Sequence, residues 1–410
     1  MTTTHAPTRA EALSRLARFA PRAGRAYAAG RNHDRPGEGH PAVSGLSPYL
    51  RHRLITEEEV LKTVLGRHGP AAAEKFVSEV FWRTYWKGWL ERRPSVWTDY
   101  RAGVRRALAG MEDEPSLAAR VAAAEAGETG IACFDAWAHE LRQTGYLHNH
   151  ARMWTASIWI FTLRLPWEIG ADWFLRHLLD GDPASNTLSW RWVAGLQTRG
   201  KHYVARAENI ARYTDGRFDR RGELDEAPLP LDGPPHPPLG PVPSGDTPRP
   251  GLRTGVLLTE EDLSPGFLLA APGGLADPVA SYATLLSVAD RSPRGVSAQV
   301  DGFSKGAIED ARDRWSERLG TRGPDAETVE EIADWARSVG LEQLVTAYAP
   351  VGPAAEALDR LNTRLAGSGT QLVRVMRVAD RAAWAYATHG FFRFKSRIPD
   401  MIEDMTQSGD

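Results

Sequence analysis

Tyr146-Leu147-His148-Asn149-His150-Ala151-Arg152-Met153-Trp154 opens the stretch on which this chain turns, and Asp180-Gly181-Asp182-Pro183-Ala184-Ser185-Asn186-Thr187-Leu188-Ser189-Trp190-Arg191-Trp192 closes it. Residues 156–179 between them read as helical, interrupted once by Pro166. Helices therefore bring two polar–aromatic corners together, as a site lining a large planar ligand requires. A tryptophan-rich core whose polar residues serve as caps has the same composition, because aromatics fill cores more often than they hold cofactors.

Working outward, Thr129-Gly130-Ile131-Ala132-Cys133-Phe134-Asp135 precedes this stretch. Further upstream, Glu79, Trp82, Arg83, Trp86 and Leu90 recur at helical spacing, which suits a packed face with a routine ion pair. Val43-Ser44-Gly45-Leu46-Ser47-Pro48-Tyr49-Leu50 places small polar residues ahead of an apolar run, either a plain serine cap or an anion cradle. From Arg9 to Tyr27 the chain is helical in spacing and rich in arginine and alanine.

In order and spacing, Thr-Gly…Asp, then Gly-Tyr-x-His-Asn-x-x-Arg-Met, then Asp-Gly-Asp-x-x-x-Asn-x-x-x-Trp-x-Trp resembles the flavin-binding region of the photolyase/cryptochrome family. The resemblance implies an all-α domain holding FAD. Tyr27, Ser44, Leu46, Ser47, Arg83, Asn149, Arg152, Asp180, Asp182 and Asn186 are then the cofactor-binding residues. Ser44, Leu46 and Ser47 serve the phosphates, although Val43 and Gly45 replace a usual threonine and basic residue. Arg83 and Arg152 supply positive charge. Asn186 lies at the ring nitrogen where protonation occurs, an amide there being the pattern of repair enzymes.

For a substrate, the resemblance implies DNA containing pyrimidine dimers, flipped out of the duplex into the cavity. Trp82 and Trp192 sandwich the bases, Glu79 meets a base edge, and Met153 follows Arg152 as in enzymes acting on cyclobutane dimers. His150 replaces an arginine on DNA phosphate, so affinity is expected to be lower and sensitive to pH. Trp190 and Trp167 hold the first two places of an electron relay; the third falls at Asp113–Glu114, where no tryptophan stands. Trp137, Trp154, Trp159 and Trp173 offer detours. Glu79, Trp82, Asn186, Trp190 and Trp167 thus form the catalytic set. Arg92, Arg93, Arg191 and Arg199 are the expected basic rim. Thr162 stands where the family has an aspartate partner for Arg152, which would leave that arginine its charge.

Composition bounds the rest. The chain has 410 residues, 42% hydrophobic and 25% charged, room for two or three ordinary globular domains. A lone cysteine, Cys133, excludes an internal disulfide, and the chain shows no signal-peptide core or membrane-spanning run, so a cytoplasmic location is expected. Eleven of 14 tryptophans precede residue 200, which places the aromatic site in the first half. Ten of 28 prolines lie between Pro228 and Pro250, a composition that forms no packed core.

The fold class is accordingly multidomain. A helical FAD-binding domain over 9–222 leads through a Pro/Gly-rich linker, 223–252, to a small α/β domain over 253–400 with a mostly parallel sheet. Strands are expected at 254–258, 344–348 and 372–376, and helices at 280–289, 307–319, 328–338 and 354–365. Glu261 to Pro265 and Gly390 to Lys395 give this half a fainter resemblance to the family's antenna domain, displaced to follow the flavin domain, with the antenna pigment left open. No dinucleotide or P-loop glycine motif, metal-ligand spacing or hydrolytic triad stands out. Light-driven DNA repair is the leading expectation. A flavin photoreceptor acting through a protein partner, and a relative that has lost photochemistry, are the alternatives.

Overall fold

The computed structural model describes residues 5–219, 221–270, 275 and 278–407. Helices succeed one another from Arg9 to Tyr213, and five strands follow from Thr254. The Pro70–Glu91 helix is the axis of the first part. Pro70 pre-sets its first turn, three alanines favour it, and Pro94 forbids its continuation. Phe76, Val80, Phe81, Tyr85, Trp89 and Leu90 are all buried along it. Gly88 is required where the Val378–Trp384 helix crosses, since a Cβ there would sit 2.6 Å from the Trp384 ring.

Local sequence signals set the ends of the helices. Thr56 and Glu59 close a reciprocal capping box on the Glu57–Leu65 helix. Asn149–Ser157 runs into a single wide turn, Ile158–Thr162, and the chain restarts after Pro166 as Trp167–His177. Pro183–Ala194 begins at Asp182, whose carboxylate accepts from Ser185 N at 2.7 Å, and ends at Gly195 with φ of 86°.

The strands are β1 (Thr254–Thr259), β2 (Ser281–Leu285), β3 (Thr321–Ala326), β4 (Gln343–Ala347) and β5 (Gln371–Val375). They form one parallel sheet in the order β3-β2-β1-β4-β5. Leu257, Leu285 and Leu344 pack on one face against Trp335, Leu358 and Leu361. Val256, Leu258, Val345 and Val373 pack on the other, with Leu268 and Leu319. Two corrections follow. The helix expected over 280–289 is β2, a fully buried strand whose Tyr282, Thr284 and Leu285 outweigh its alanine. β3 is a strand that the sequence does not signal, because it is an edge strand carrying Gly323 and Pro324, which only an edge tolerates.

Strand order reverses between β1 and β4, and in such sheets the crevice at the strands' carboxyl ends is the usual ligand site. Here the helical part is seated against it. Arg51 donates to Glu261 at 2.7 and 2.5 Å, the neutral His52 donates through Nδ1 to the Glu260 carbonyl at 2.7 Å, and Arg53 reaches Asp262 at 3.2 Å. Beyond β4, Tyr348 Oη and Val351 N both donate to Glu91, at 2.7 and 2.5 Å.

No helix or strand interrupts 221–253 among the described residues, and the proline-rich stretch lies strapped to the helical part: Gly240 N donates to Arg92 O at 2.8 Å, and Leu231 N to Ala194 O at 2.9 Å. The core does not divide where composition does. Phe303 and Ala307 of the Ala298–Trp315 helix pack in the helical core, and so do Phe391, Phe394 and Met401 near the end of the chain. Gly390 to Lys395, expected to close the α/β unit, is a short helix on the axis helix instead. Among the described residues no helix is long and apolar enough to cross a membrane.

Glu91 makes the seam between the two parts sensitive to pH. Burial pushes its carboxyl up to about 7, against the opposing pull of Val351 N, Tyr348 Oη and Lys87. The unfolded chain therefore gives up this proton first, and stability falls as pH rises from 4.5 to about 7 and then levels off. Urea denaturation at pH 5 and pH 8 should show a loss of about 3 kcal/mol that Glu91→Gln removes; an unaltered pH slope in the variant would contradict this.

Candidate functional site

A cavity of about 470 Å³ opens between the axis helix, the Asn149–Ser157 and Pro183–Ala194 helices, and the turn around Ser44 to Ser47. Tyr27, Ser44, Leu46, Ser47, Glu79, Trp82, Arg83, Asn149, Arg152, Met153, Asp180, Asp182, Asn186, Trp190 and Trp192 all line it. Helical spacing explains the last group: Asp182, Ser185, Asn186, Ser189, Trp190 and Val193 share one face. Ser185 and Ser189 could have been read from that periodicity. Arg31 and Tyr146, which also line the cavity, lie on other segments and gave no such signal.

One end is a charged corner. Burial alone would raise the Asp182 carboxyl, but Lys87, Arg51 and Arg83, each 3.6–3.8 Å from Oδ2, overcome it and hold the group well below the usual carboxylate range. Asp180 is likewise held down against burial, chiefly by Arg152 and Arg83. Arg152 Nη2 lies 3.0 Å from Asp180 Oδ2, so Arg152 does not keep an unbalanced charge. Asp180 does the work expected of an acid at position 162, while the Thr162 hydroxyl accepts from Asp225 N at 3.1 Å and ties down the start of the proline-rich stretch.

The walls are aromatic: Trp82, Trp86, Phe174 and Trp190. Glu79 is paired with Arg31 at 2.6 Å. Asn186 donates from Nδ2 to Ala171 O at 2.8 Å, leaving its carbonyl oxygen as the acceptor. Trp192 stacks on Tyr203 at 5.5 Å, and Trp82 stacks on Phe391 at 3.6 Å with only 13° between planes. One face of Trp82 is thus already covered, a contact invisible in the sequence because the two residues stand more than 300 positions apart.

Two expected site residues lie elsewhere. His150 packs edge-on against Trp154 and Tyr213, and burial, then Arg31, pushes its pKa down to about 4, so it is a neutral packed ring. His148 beside it, pushed by burial down to about 3, caps its helix by accepting from His150 N through Nδ1 and donates through Nε2 to Arg31 O. Trp167 packs on Tyr100 at 5.8 Å, whereas the aromatic contacts of Trp190 are Phe174 at 5.1 Å and Trp159 at 6.3 Å. Trp159 continues to Trp173 at 5.6 Å, one of the detours considered above. The expected rim is also displaced. Arg92 and Arg93 donate to the Ala385 and Thr388 carbonyls, Arg191 is largely buried, and Arg199 faces Asp232 at 3.8 Å.

Residues 76–225 match the sequence model of the FAD binding domain of DNA photolyase. Over this stretch the chain is similar to the photolyase/cryptochrome family. It is 31% identical over 205 residues to a deoxyribodipyrimidine photo-lyase of Streptomyces griseus, covering 47% of this chain and 43% of that one. A photo-lyase of Agrobacterium fabrum is 34% identical over 192 residues, 46% of this chain and 38% of its own. The crystal structure of a bacterial class III photolyase from Agrobacterium tumefaciens is 28% identical over 50% of this chain and 42% of that chain, with a TM-score of 0.41. The chain spans less than half the length of the curated relatives it matches.

FAD is the cofactor of this family domain, and the cavity suits it. Arg83 Nη1, Asp180 Oδ1 and Asp182 Oδ2 are buried at its charged end without a hydrogen-bond partner among the described residues, an arrangement costly unless a polar ligand completes it. Arg83 and Arg152 provide cations and the aromatic walls a slot for a planar ring. Arg152→Met should weaken FAD binding roughly tenfold or more, since it leaves Asp180 buried without its cation. Flavin fluorescence titration of the apoprotein reads this directly, and an unchanged affinity would remove Arg152 from the site.

Proposed function

We propose that the protein is an FAD-dependent, blue-light-driven lyase that splits cyclobutane pyrimidine dimers in DNA. The observation that carries this is the convergence of Glu79, Trp82, Met153 and Trp192 on the same cavity as the charged corner. When bound and reduced, FAD supplies a light-absorbing electron donor. The chain's own groups hold the reactants. Ser44, Leu46 and Ser47 take the phosphate end, and Asp180, Asp182 and Asn149 take sugar and adenine. Arg83, with Arg152 contributing the part of its charge that Asp180 does not balance, favours a negatively charged ring, while Asn186 offers it a carbonyl acceptor. Trp82 and Trp192 receive the flipped-out bases by stacking. Arg31 fixes one oxygen of Glu79 and leaves the other to accept from a base N–H. Trp86, Phe174 and Trp190 keep water from the ring.

A flavin photoreceptor without repair activity, signalling to a protein partner, is the alternative. Two features favour it: the face of Trp82 covered by Phe391, and the Trp190–Trp159–Trp173 series through which electrons would reach the cavity. Glu79→Ala and Trp82→Ala separate the two functions. Each should retain FAD yet lose dimer splitting, and Trp82→Ala should bind a dimer-containing oligonucleotide roughly tenfold more weakly, the scale of one lost base stack. Dimer splitting at the native rate in both variants would rule the repair function out.

A further inference from the structure

We infer that the C-terminal segment from Arg381 to Arg397 is a nucleic-acid-binding surface, supplying a basic, aromatic rim beside the cavity where Arg92 and Arg93 turn inward. This rests on the nucleic-acid substrate proposed above and names the element that would grip the strand flanking the base in the cavity. The segment departs from its surroundings in charge. Residues after 225 carry 18 Lys+Arg against 26 Asp+Glu, yet from 381 to 399 there are four basic residues and no acid. Five aromatics are interleaved with them, Trp384, Tyr386, Phe391, Phe392 and Phe394.

Its placement gives this composition a use. The inner side is anchored beside the site: Phe391 stacks on Trp82 at 3.6 Å, Tyr85 Oη donates to His389 O at 2.7 Å, and Arg92 and Arg93 hold the Ala385 and Thr388 carbonyls. The outer side faces solvent. Phe392 is 86% exposed, an exposure no packing requirement explains in so large an apolar ring. Arg393 beside it donates to His389 Nδ1 at 3.3 Å, and neither Arg393 nor Arg381 has a carboxylate at ion-pair distance among the described residues. Arg397 is held by Asp400 at 3.2 Å with its guanidinium 5.5 Å from the Tyr386 ring, and Lys395 is paired with Glu74. Exposed aromatic and arginine side chains on one anchored segment match a strand of phosphates and unstacked bases, since stacking tolerates any sequence and cations track the backbone.

Fluorescence anisotropy with an undamaged, fluorescein-labelled oligothymidine, across a salt series, tests this on the full chain loaded with FAD. The native protein should bind. Phe392→Ala should weaken binding fivefold or more, and Phe392→Trp should restore it. Arg393→Ala should weaken binding and reduce the slope of log affinity against log salt by about one. Melting temperature and flavin content should not change, because both side chains face solvent. Native binding by Phe392→Ala and Arg393→Ala, whether or not the protein splits dimers, would overturn the inference. No binding by the native chain would also overturn it, as would a dimer of this chain that Phe392→Ala dissolves without affecting oligonucleotide affinity. Weaker oligonucleotide binding in the variants of a protein that splits no dimers would leave this surface standing and end the repair function.

Discussion

The guanidinium of Arg51, fully buried, is the interaction on which the rest of the structure depends. It donates to the Gly181 carbonyl at 3.0 Å, lies 3.8 Å from Asp182, and makes a paired contact with Glu261. One side chain therefore joins the charged corner of the cavity to the crevice of the sheet. Charges so deep are tolerated only as a balanced set, and removing one member strands the others. Lys87 stands between Asp182 and Glu261, and burial, with Arg51 close by, pushes Arg291 down to about 10. Glu260, raised by burial and by Glu261, completes the cluster.

That constraint gives the α/β part a structural task. Its strands present carboxylates where sheets of this order usually present a ligand site, and the helical part answers with Arg51, His52 and Arg53. The sheet therefore braces the floor of the cavity from behind. The last helices return to the axis helix on another side, where Phe391 meets Trp82. The family domain spans residues 76–225, but the turn at Ser44 to Ser47, the partner Glu261 and the Phe391 contact all lie outside it.

Much of this was legible in the residues because the signals are local. Thr56 with Glu59, Asp182 with Pro183, and the strands around Val256, Val345 and Val373 are each decided by a few neighbouring side chains. The cavity lining was legible through the resemblance of its motifs, and on the Pro183–Ala194 helix through spacing as well. Other features depend on distant chain. β2 looked helical through its alanine, and an edge strand with Gly323 and Pro324 carries no apolar alternation. His150 and Trp167 left the site because Trp154, Tyr213 and Tyr100 offered closer packing. Asp180 compensates Arg152 from 28 positions away, and Arg92 and Arg93 turned inward to carbonyls of a segment nearly 300 residues later.

The most direct measurement is made on the native protein: blue light in the presence of a reductant, with the flavin spectrum and the loss of a cyclobutane dimer from single-stranded DNA followed together. The account predicts a flavin that photoreduces and then drives dimer loss only in the light. A protein that binds no flavin would contradict the account of the cavity, and a photoreduced flavin beside an intact dimer would contradict the repair function.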